Sequence, residues 1–283
     1  MEIADALTVL EAFVRRYPRL LVMTGAGISA ASGVPTYRDS EGQWQRKPPV
    51  QHGAFIADGT VRQRFWARNM VGWRFMRDAR PSPSHLALAE LERLGHLACL
   101  VTQNVDGLHQ RAGSRRVIDL HGRIDRVRCQ GCGATVHREL IQQWLERHNP
   151  AFARLAGAIA PDGDADVDDL DYTSLRVCDC EHCGGILKPD AVFFGGNVPA
   201  AVLAETEAAL ARADALLVVG SSLMVYSGFR ICRDAAGRGL PVAAINRGKT
   251  RADDLLSLKL ELPCDVLLPP LVAALDASSA GTG

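Results

Sequence analysis

Residues 20–39 read LLVMTGAGISAASGVPTYRD, and the rest of the chain is best understood from them outward. Leu20–Thr24 is uncharged and mostly aliphatic, which predicts a short buried strand. Gly25-Ala26-Gly27-Ile28-Ser29-Ala30 follows at once and fits the pattern G-x-G-x-x-G/A. Small residues there let a backbone turn approach a pyrophosphate, with a helix N-terminus pointing at its charge. Glycines after a strand also make ordinary tight turns, so the strand in front is what favours a dinucleotide. A common dehydrogenase would next place a second strand ending in an acidic residue about 20 positions on. Here the chain runs instead into Gly33-Val34-Pro35, Tyr37-Arg38-Asp39, Trp44 and Pro48-Pro49. That mixture predicts a lid over the ligand rather than a ribose-binding strand.

Around this stretch the periodicity predicts an α/β fold. Ile3, Leu7, Leu10 and Val14 mark a helix over 3–17. Residues 60–80 read as helical, with Phe65, Trp66, Met70, Trp73 and Phe75 forming a small core under the lid or, alternatively, a substrate-lining wall. Ser84 is expected to cap a helix running to about Leu94. Further strands are expected at Leu97–Val101, Val117–Leu120, Ala215–Val219 and Val242–Ile245, with helical segments between several of them. Together they predict a doubly wound, parallel, Rossmann-like sheet. The residues after these strands are Gln103-Asn104-Val105-Asp106-Gly107, His121-Gly122, Gly220-Ser221-Ser222 and Asn246-Arg247-Gly248. Ligands bind outside the carboxyl ends of such strands, so a shared rim around one ligand is expected.

The cysteines belong to a separate device. Cys129-Gln130-Gly131-Cys132 and Cys180-Glu181-His182-Cys183 are paired knuckles of the kind that hold tetrahedral zinc. Four thiolates leave no position open, so the metal is expected to be structural. The wide gap between the knuckles predicts an excursion of its own. Cys178 is a spare that could replace Cys180 at a less usual spacing, and His137 and His182 are expected at the surface. Asp162 to Asp171 holds six aspartates in ten residues without the glycine and closing glutamate of a calcium loop, and is read as a solvated surface loop.

Composition narrows the remaining classes. The 283 residues are 47% hydrophobic, enough for a packed core, and long enough for a large lobe with a smaller one. Lys plus Arg equals Asp plus Glu at 32 each, whereas a general nucleic-acid binder is normally basic. No apolar run reaches the length of a membrane span. The opening MEIADALTVLEAFVRRY is neither a secretory signal nor an acid-poor transit peptide, so a cytoplasmic protein with reduced or metal-bound cysteines is expected.

Read together, GAGISAASGVPTYRD (25–39), TQNVDGLH (102–109), HG (121–122), the two cysteine pairs, KPDAVFFG (188–195), GSS (220–222) and the Asn246-Arg247-Gly248 turn resemble the sirtuin family of NAD-dependent protein deacylases. The segments run in family order and cover nearly the whole chain. WARNMVGW (66–73), PDGD (161–164) and GSSLMVYSG (220–228) are similar to the branch containing mitochondrial sirtuin 4 and its bacterial relatives. The resemblance implies one catalytic domain over 1–283, with a Rossmann-like lobe of about 1–40, 84–123 and 188–283. A smaller zinc-binding lobe and inserted helical module would come from about 41–83 and 124–187. It implies that Gly25, Ala26, Gly27, Ser29, Pro35, Tyr37, Arg38, Gln103, Asn104 and Asp106 bind NAD. The adenine side would be lined by Gly220, Ser221, Ser222, Asn246, Arg247, Gly248 and Cys264. His121 would be the general base, with Asn104 and Asp106 beside it, and Val192, Phe193 and Gly195 would form a strand-like edge for the substrate peptide. Two positions depart from the family: Gly196, where relatives usually carry an acid, and Ser227, where proline is common and which reads as a loop detail.

The reaction so implied consumes NAD as a co-substrate. An acyl-lysine carbonyl oxygen attacks the ribose carbon bearing nicotinamide, and His121 then takes a proton from a ribose hydroxyl that attacks the alkylimidate. The acyl group finally leaves on ADP-ribose. Histidine suits that step because its pKa lies near neutrality. Two rivals use the same residues: a mono-ADP-ribosyltransferase, and a zinc-dependent module that senses NAD. The acyl group is expected to be neutral. Sirtuins that remove carboxylated acyl groups resemble one another in a Tyr-x-x-Arg pair, and Phe65–Arg74 contains no tyrosine. Its Arg68 and Arg74 point either at the pocket or, as the expectation has it, at solvent.

Overall fold

The structure is a computed structural model. It describes all residues except 38, 40–42, 44, 46–48, 156, 160–161, 167–170 and 281–283, with the backbone alone at 158–159, 166 and 278–280. The expected Arg38, Trp44 and Pro48 of the lid lie outside the described residues, as do Pro161 and Asp168 and Asp169 of the aspartate run.

Leu20–Thr24 is β1, the centre of a six-stranded parallel sheet. Leu20 and Val22 enter one core layer and Leu21 and Met23 the other. With both faces covered, an unbroken aliphatic run replaces the alternation of a half-exposed strand. Before it, α1 (Ile3–Arg16) packs Ala6, Leu10, Phe13 and Val14 onto the first layer. After it come α2 (His52–Ala57), α3 (Gly59–Asp78), α4 (Pro83–Arg93), β2 (Leu97–Thr102), α5 (Leu108–Arg111) and β3 (Val117–Asp119). The chain then leaves the sheet through β4 (Gly122–Cys129), β5 (Thr135–His137), α6 (Arg138–His148), β6 (Ala158–Ile159), β7 (Ala165–Asp166) and β8 (Leu187–Ala191). It returns through α7 (Ala200–Ala211), β9 (Ala215–Val219), α8 (Tyr226–Gly237), β10 (Val242–Ile245), β11 (Leu258–Leu260) and α9 (Cys264–Ala280).

The strand order is β11-β10-β9-β1-β2-β3. Connections run outward in both directions from the β1/β9 pair, which makes their carboxyl ends the switch point. Thr24 pairs with both Thr102 and Val219, and Val219 with Ile245, so the strand ends are level and form one rim. β11 is a sixth strand that the sequence reading lacked; its three residues are too few to carry a pattern. A second, antiparallel sheet, β5-β4-β8, encloses a separate core that includes Phe65, Trp66 and Met70 from α3.

Several expectations are corrected. The glycine loop opens a seven-residue 3-10 helix, Ala26–Ser32, not an α-helix, and Gly33 closes it with a φ of 82°. Ser82, not Ser84, caps α4: its hydroxyl accepts from the amide of His85, and Pro83 holds the first helical position. Ser84 is spent instead on Asp265, which accepts from its amide at 2.9 Å. The first aspartates of the acidic run are not solvated. Gly163 is buried and its carbonyl accepts from Asn69 Nδ2 at 3.1 Å, pressed so closely on α3 that a Cβ at Gly72 would lie 2.1 Å from it. Asp164 accepts from Arg68, whose residue is 7% exposed. Arg74 bonds Glu146 and the carbonyl of Ala153. Arg68 is thus drawn out of solvent to fasten a loop on α3, while Arg74, still a third exposed, ties α3 to α6 and the chain after it.

Candidate active site

One cavity of about 1020 Å³ lies against the carboxyl rim. It is lined by Gly25, Ala26, Gly27, Ser29 and Tyr37 from the first turn, and by Gln103, Asn104, Asp106 and His121 from the next two strand ends. Gly220, Ser221, Ser222, Asn246, Arg247 and Cys264 line it from the other half of the sheet, and Val192, Phe193 and Gly195 from the chain after β8. Pro35 and Gly248 are not among the lining residues. The rim expected from five scattered segments is therefore a single surface.

The glycines have a packing reason besides ligand approach. The amide of Gly27 donates to the carbonyl of Gly220 at 2.8 Å, and the two turns cross in contact. A Cβ on Gly27 would lie 2.8 Å from that carbonyl oxygen, and one on Gly220, whose φ is 61°, would lie 2.5 Å from the amide nitrogen of Ile28. Beside the crossing, Leu223 takes a φ of 59° while 1% exposed. A leucine in the left-handed region is strained, and such strain is held only by surrounding structure.

A polar chain runs beneath the cavity floor. Asn104 Nδ2 donates to the carbonyl of Gly25 at 3.1 Å and to Ser29 Oγ at 3.0 Å. Ser29 Oγ donates to Asp106 Oδ2 at 2.8 Å, and Asp106 Oδ1 accepts from the amide of Leu108. Behind it His85 and His109 meet as tilted rings with centroids 4.6 Å apart, and His109 Nε2 meets Thr24 Oγ1 at 2.9 Å. Burial pushes both imidazoles below their ordinary value, His109 well below, so both are neutral near pH 7. Gln103 Nε2 donates to Ser221 Oγ at 2.7 Å, tying β2 to β9.

His121 stands where β3 hands over to β4. Its Nδ1 lies 2.9 Å from the carbonyl oxygen of Gln103, and its Nε2 lies 2.7 Å from Ser227 Oγ. A carbonyl can only accept, so Nδ1 carries the proton and the lone pair of neutral imidazole sits on Nε2. Burial lowers its pKa, against a smaller raising effect from the Gln103 carbonyl, so the ring is an unprotonated base near neutral pH. Ser227, which the sequence reading dismissed, is thus in direct contact with this ring. It is the second residue of α8, and only tertiary folding brings it across 106 positions of sequence.

The expected strand-like substrate edge is only partly a strand. β8 ends at Ala191, and Val192, Phe193 and Gly195 lie beyond it. Val192 donates its amide to the carbonyl of His121 at 2.8 Å, and Phe194 bridges to Gln51. Phe193 is backed by the Lys188 ammonium, 4.4 Å from its ring centroid, which is itself held on the carbonyl of Pro189. Other lining residues that sequence reasoning missed include Ile124, Asp162, Tyr226 and Arg230. Asp162 carried a signal in its place within the aspartate run. Burial, with Asp164 adding to it, raises its carboxyl to about 6.

The Sγ atoms of Cys129, Cys132, Cys180 and Cys183 lie within 4.8 Å of one another. Cys129 and Cys183 are 3.5 Å apart, and Cys132 and Cys180 3.7 Å. Tetrahedral zinc with thiolate bonds of about 2.3 Å needs sulfur–sulfur edges of about 3.8 Å, so these four fit the ion. The amides of Gly131 and Cys132 point at Cys129 Sγ; the hydrogen bond from Cys132, ahead of the other causes, lowers that thiol to about 6. Cys178 stays outside the cluster: its thiol is buried in the small core and pushed up to about 11 by that burial. His137 and His182 are exposed, as expected.

A parallel sheet with its cavity at the switch point, joined to a lobe built on four thiolates, defines a Rossmann-type protein with a zinc module. The Sir2 family model matches residues 25–227, and the chain belongs to the Sir2 family. It is 55% identical over 259 residues to the "NAD-dependent protein deacetylase 2" of Bradyrhizobium diazoefficiens, covering 92% of this chain and 95% of that protein. It is 48% identical over 263 residues to the "NAD-dependent protein lipoamidase sirtuin-4, mitochondrial" of Bos taurus, covering 92% and 84%. A crystal structure of a Sir2 homologue–NAD complex superposes with a TM-score of 0.74 at 31% identity, over 96% of this chain and 94% of that one.

Proposed function

We propose that the protein is an NAD-dependent protein lysine deacetylase, or more broadly deacylase, which moves the acyl group from lysine to ADP-ribose and releases nicotinamide. One observation carries the reading: His121, Asn104, Asp106 and the Gly25–Gly27 turn, from three separate strand ends, line the same cavity. In this reading the glycine crossing receives the pyrophosphate, and Tyr37 and Arg38 belong to the loop over the cofactor. Gly220, Ser221, Ser222, Asn246, Arg247 and Cys264 face the adenosine half, with Pro35 and Gly248 supporting their turns.

Asn104, Asp106 and Ser29 hold the nicotinamide ribose within a chain of hydrogen bonds that is already formed, so little reorganisation accompanies the reaction. His121 takes the ribose proton at Nε2. Val192, Phe193 and Gly195 clamp the peptide, and Phe193 forms part of the apolar wall that keeps water from the weak carbonyl nucleophile. Zinc, held by Cys129, Cys132, Cys180 and Cys183, supplies folding energy to the smaller lobe. The lobes divide at about 1–40, 84–123 and 188–283 for the larger, and 41–83 and 124–187 for the smaller. The partners are acyl-lysine proteins, with no direct nucleic-acid role, and the compartment is the cytoplasm. Among the described residues no helix is long and apolar enough to cross a membrane.

Incubation with an acetyl-lysine peptide and NAD labelled in its ADP-ribose part tests this. Peptide-dependent nicotinamide release with label recovered as acetyl-ADP-ribose is expected. Label recovered on protein would point to ADP-ribosyl transfer instead, and no nicotinamide release with or without the peptide would refute both.

A further inference from the structure

The hydroxyl of Ser227 is 2.7 Å from the ring nitrogen that would act as base. Nδ1 of His121 is committed as a donor to the Gln103 carbonyl, so Nε2 is the atom that changes protonation. A hydroxyl can meet both of its states: it donates to the bare lone pair, and after rotation it accepts from Nε2–H. The second bond is charge-assisted and the stronger.

The surroundings give the imidazolium little other help. Burial opposes it, and among the described residues the Gln103 carbonyl favours it. The charged groups on neighbouring elements are engaged elsewhere. Asp106 accepts from Ser29 and the Leu108 amide, Arg123 pairs with Asp125, and Arg230 on α8 pairs with Asp234. Ser227 is therefore the side chain placed to answer the charge on His121.

We propose that Ser227 is a positioning residue for the base. It keeps the His121 ring in the Nδ1–H tautomer while the enzyme is free, and it accepts a hydrogen bond from Nε2–H once the base has been protonated. This rests on the assignment of His121 as the general base. In the step concerned, the ribose O–H bond breaks and its proton passes to Nε2. The electron pair of that bond forms the new C–O bond to the acyl carbon, and the C=N π pair of the alkylimidate moves onto the lysine nitrogen. As the ribose oxygen turns to the acyl carbon, Nε2–H is left to Ser227 Oγ. No oxidant or further reactant is needed.

The test is single-turnover formation of acyl-ADP-ribose across pH, in wild type, Ser227→Ala and Ser227→Thr. Loss of one hydrogen bond to a charged group predicts a plateau lower by about 10- to 100-fold in Ser227→Ala. Its acid limb should also move about one pH unit lower, because the imidazolium is less well held. Ser227→Thr should restore both. Acyl-peptide-dependent nicotinamide exchange, which precedes the base step, should survive in Ser227→Ala. An unmoved acid limb with an unchanged plateau, or a threonine variant as impaired as alanine, overturns the proposal. Nitrogen-15 NMR of the His121 ring in the free wild-type protein gives a second measurement that needs no variant. It should find Nδ1 protonated and Nε2 bare; the opposite tautomer refutes the arrangement. If wild type releases nicotinamide normally but His121→Ala still forms acyl-ADP-ribose, the base assignment has failed, not the role of Ser227 alone.

Discussion

The guanidinium of Arg68 on α3 meets the carboxylate of Asp164 at 2.9 Å, with side-chain exposures of 9% and 14%. This pair occupies one of the two arginines that could have met a carboxylate at the end of an acyl chain. The other, Arg74, is bound to Glu146. Asp162, two residues from Asp164, brings a carboxyl of its own to the cavity lining. A succinyl group would have to bury its charge beside an acid and away from an arginine partner. We expect kcat/KM for acetyl or a longer neutral acyl peptide to exceed that for succinyl by about a hundredfold or more. Asp162→Asn should narrow the gap. A succinyl peptide turned over best would refute the assignment.

The same pair fastens the loop before β7 to α3. Removing one partner strands a charge in a nearly dry site, which costs on the order of 3–5 kcal/mol. Asp164→Asn should therefore lower the denaturant midpoint clearly. Replacing both residues with apolar ones of similar volume should cost less than the single change. A single variant as stable as wild type would show the pair to be unimportant for folding.

His121→Ala and His121→Tyr should leave a folded protein that binds NAD and releases no lysine. Its proposed role is proton transfer at a half-buried rim, not filling of either core layer. Circular dichroism, NAD titration and peptide mass spectrometry together decide, and near-normal deacylation by a folded alanine variant would remove the base from the mechanism.

Zinc analysis should give one ion per chain in Cys178→Ser and none in Cys180→Ser. The first thiol donates to the backbone carbonyl of Asp179 and packs in the core, whereas the second belongs to the four-sulfur cluster. Cys180→Ser and chelation should both unfold the smaller sheet, because metal binding and folding are coupled there. Metal kept by Cys180→Ser and lost by Cys178→Ser would reassign the ligand.

Acid should destabilise the larger sheet through its buried histidines. Burial places His109 well below the ordinary imidazole value of 6.5, and His85 and His121 also below it. Above pH 6.5 these rings are neutral folded or unfolded and contribute no pH dependence. As pH falls below 6.5 the unfolded chain takes up protons first, so stability declines until the folded values are passed. Denaturant melts from pH 7.5 to 5 should show this slope, and His109→Gln should flatten it. A curve equally steep in that variant would place the proton uptake elsewhere.

The sequence by itself determined the central strand, the parallel α/β class, the rim and the zinc ligands. Leu20–Met23 has no polar residue because both faces of the strand are covered, and a strand buried on both sides is visible as a plain apolar run. The paired thiols are legible for a related reason: their chemistry needs fixed local spacing. What only the tertiary structure decided lies in contacts between distant segments. Ser227 looks like a loop residue until α8 is set beside the end of β3, and Asp164 looks solvated until Gly72 leaves room for its loop on α3. Neither serine nor aspartate carries in its neighbours a sign of what it will touch. A hydrogen bond or ion pair across roughly a hundred residues leaves no periodicity, and packing alone selects which polar groups are drawn out of water and must find partners.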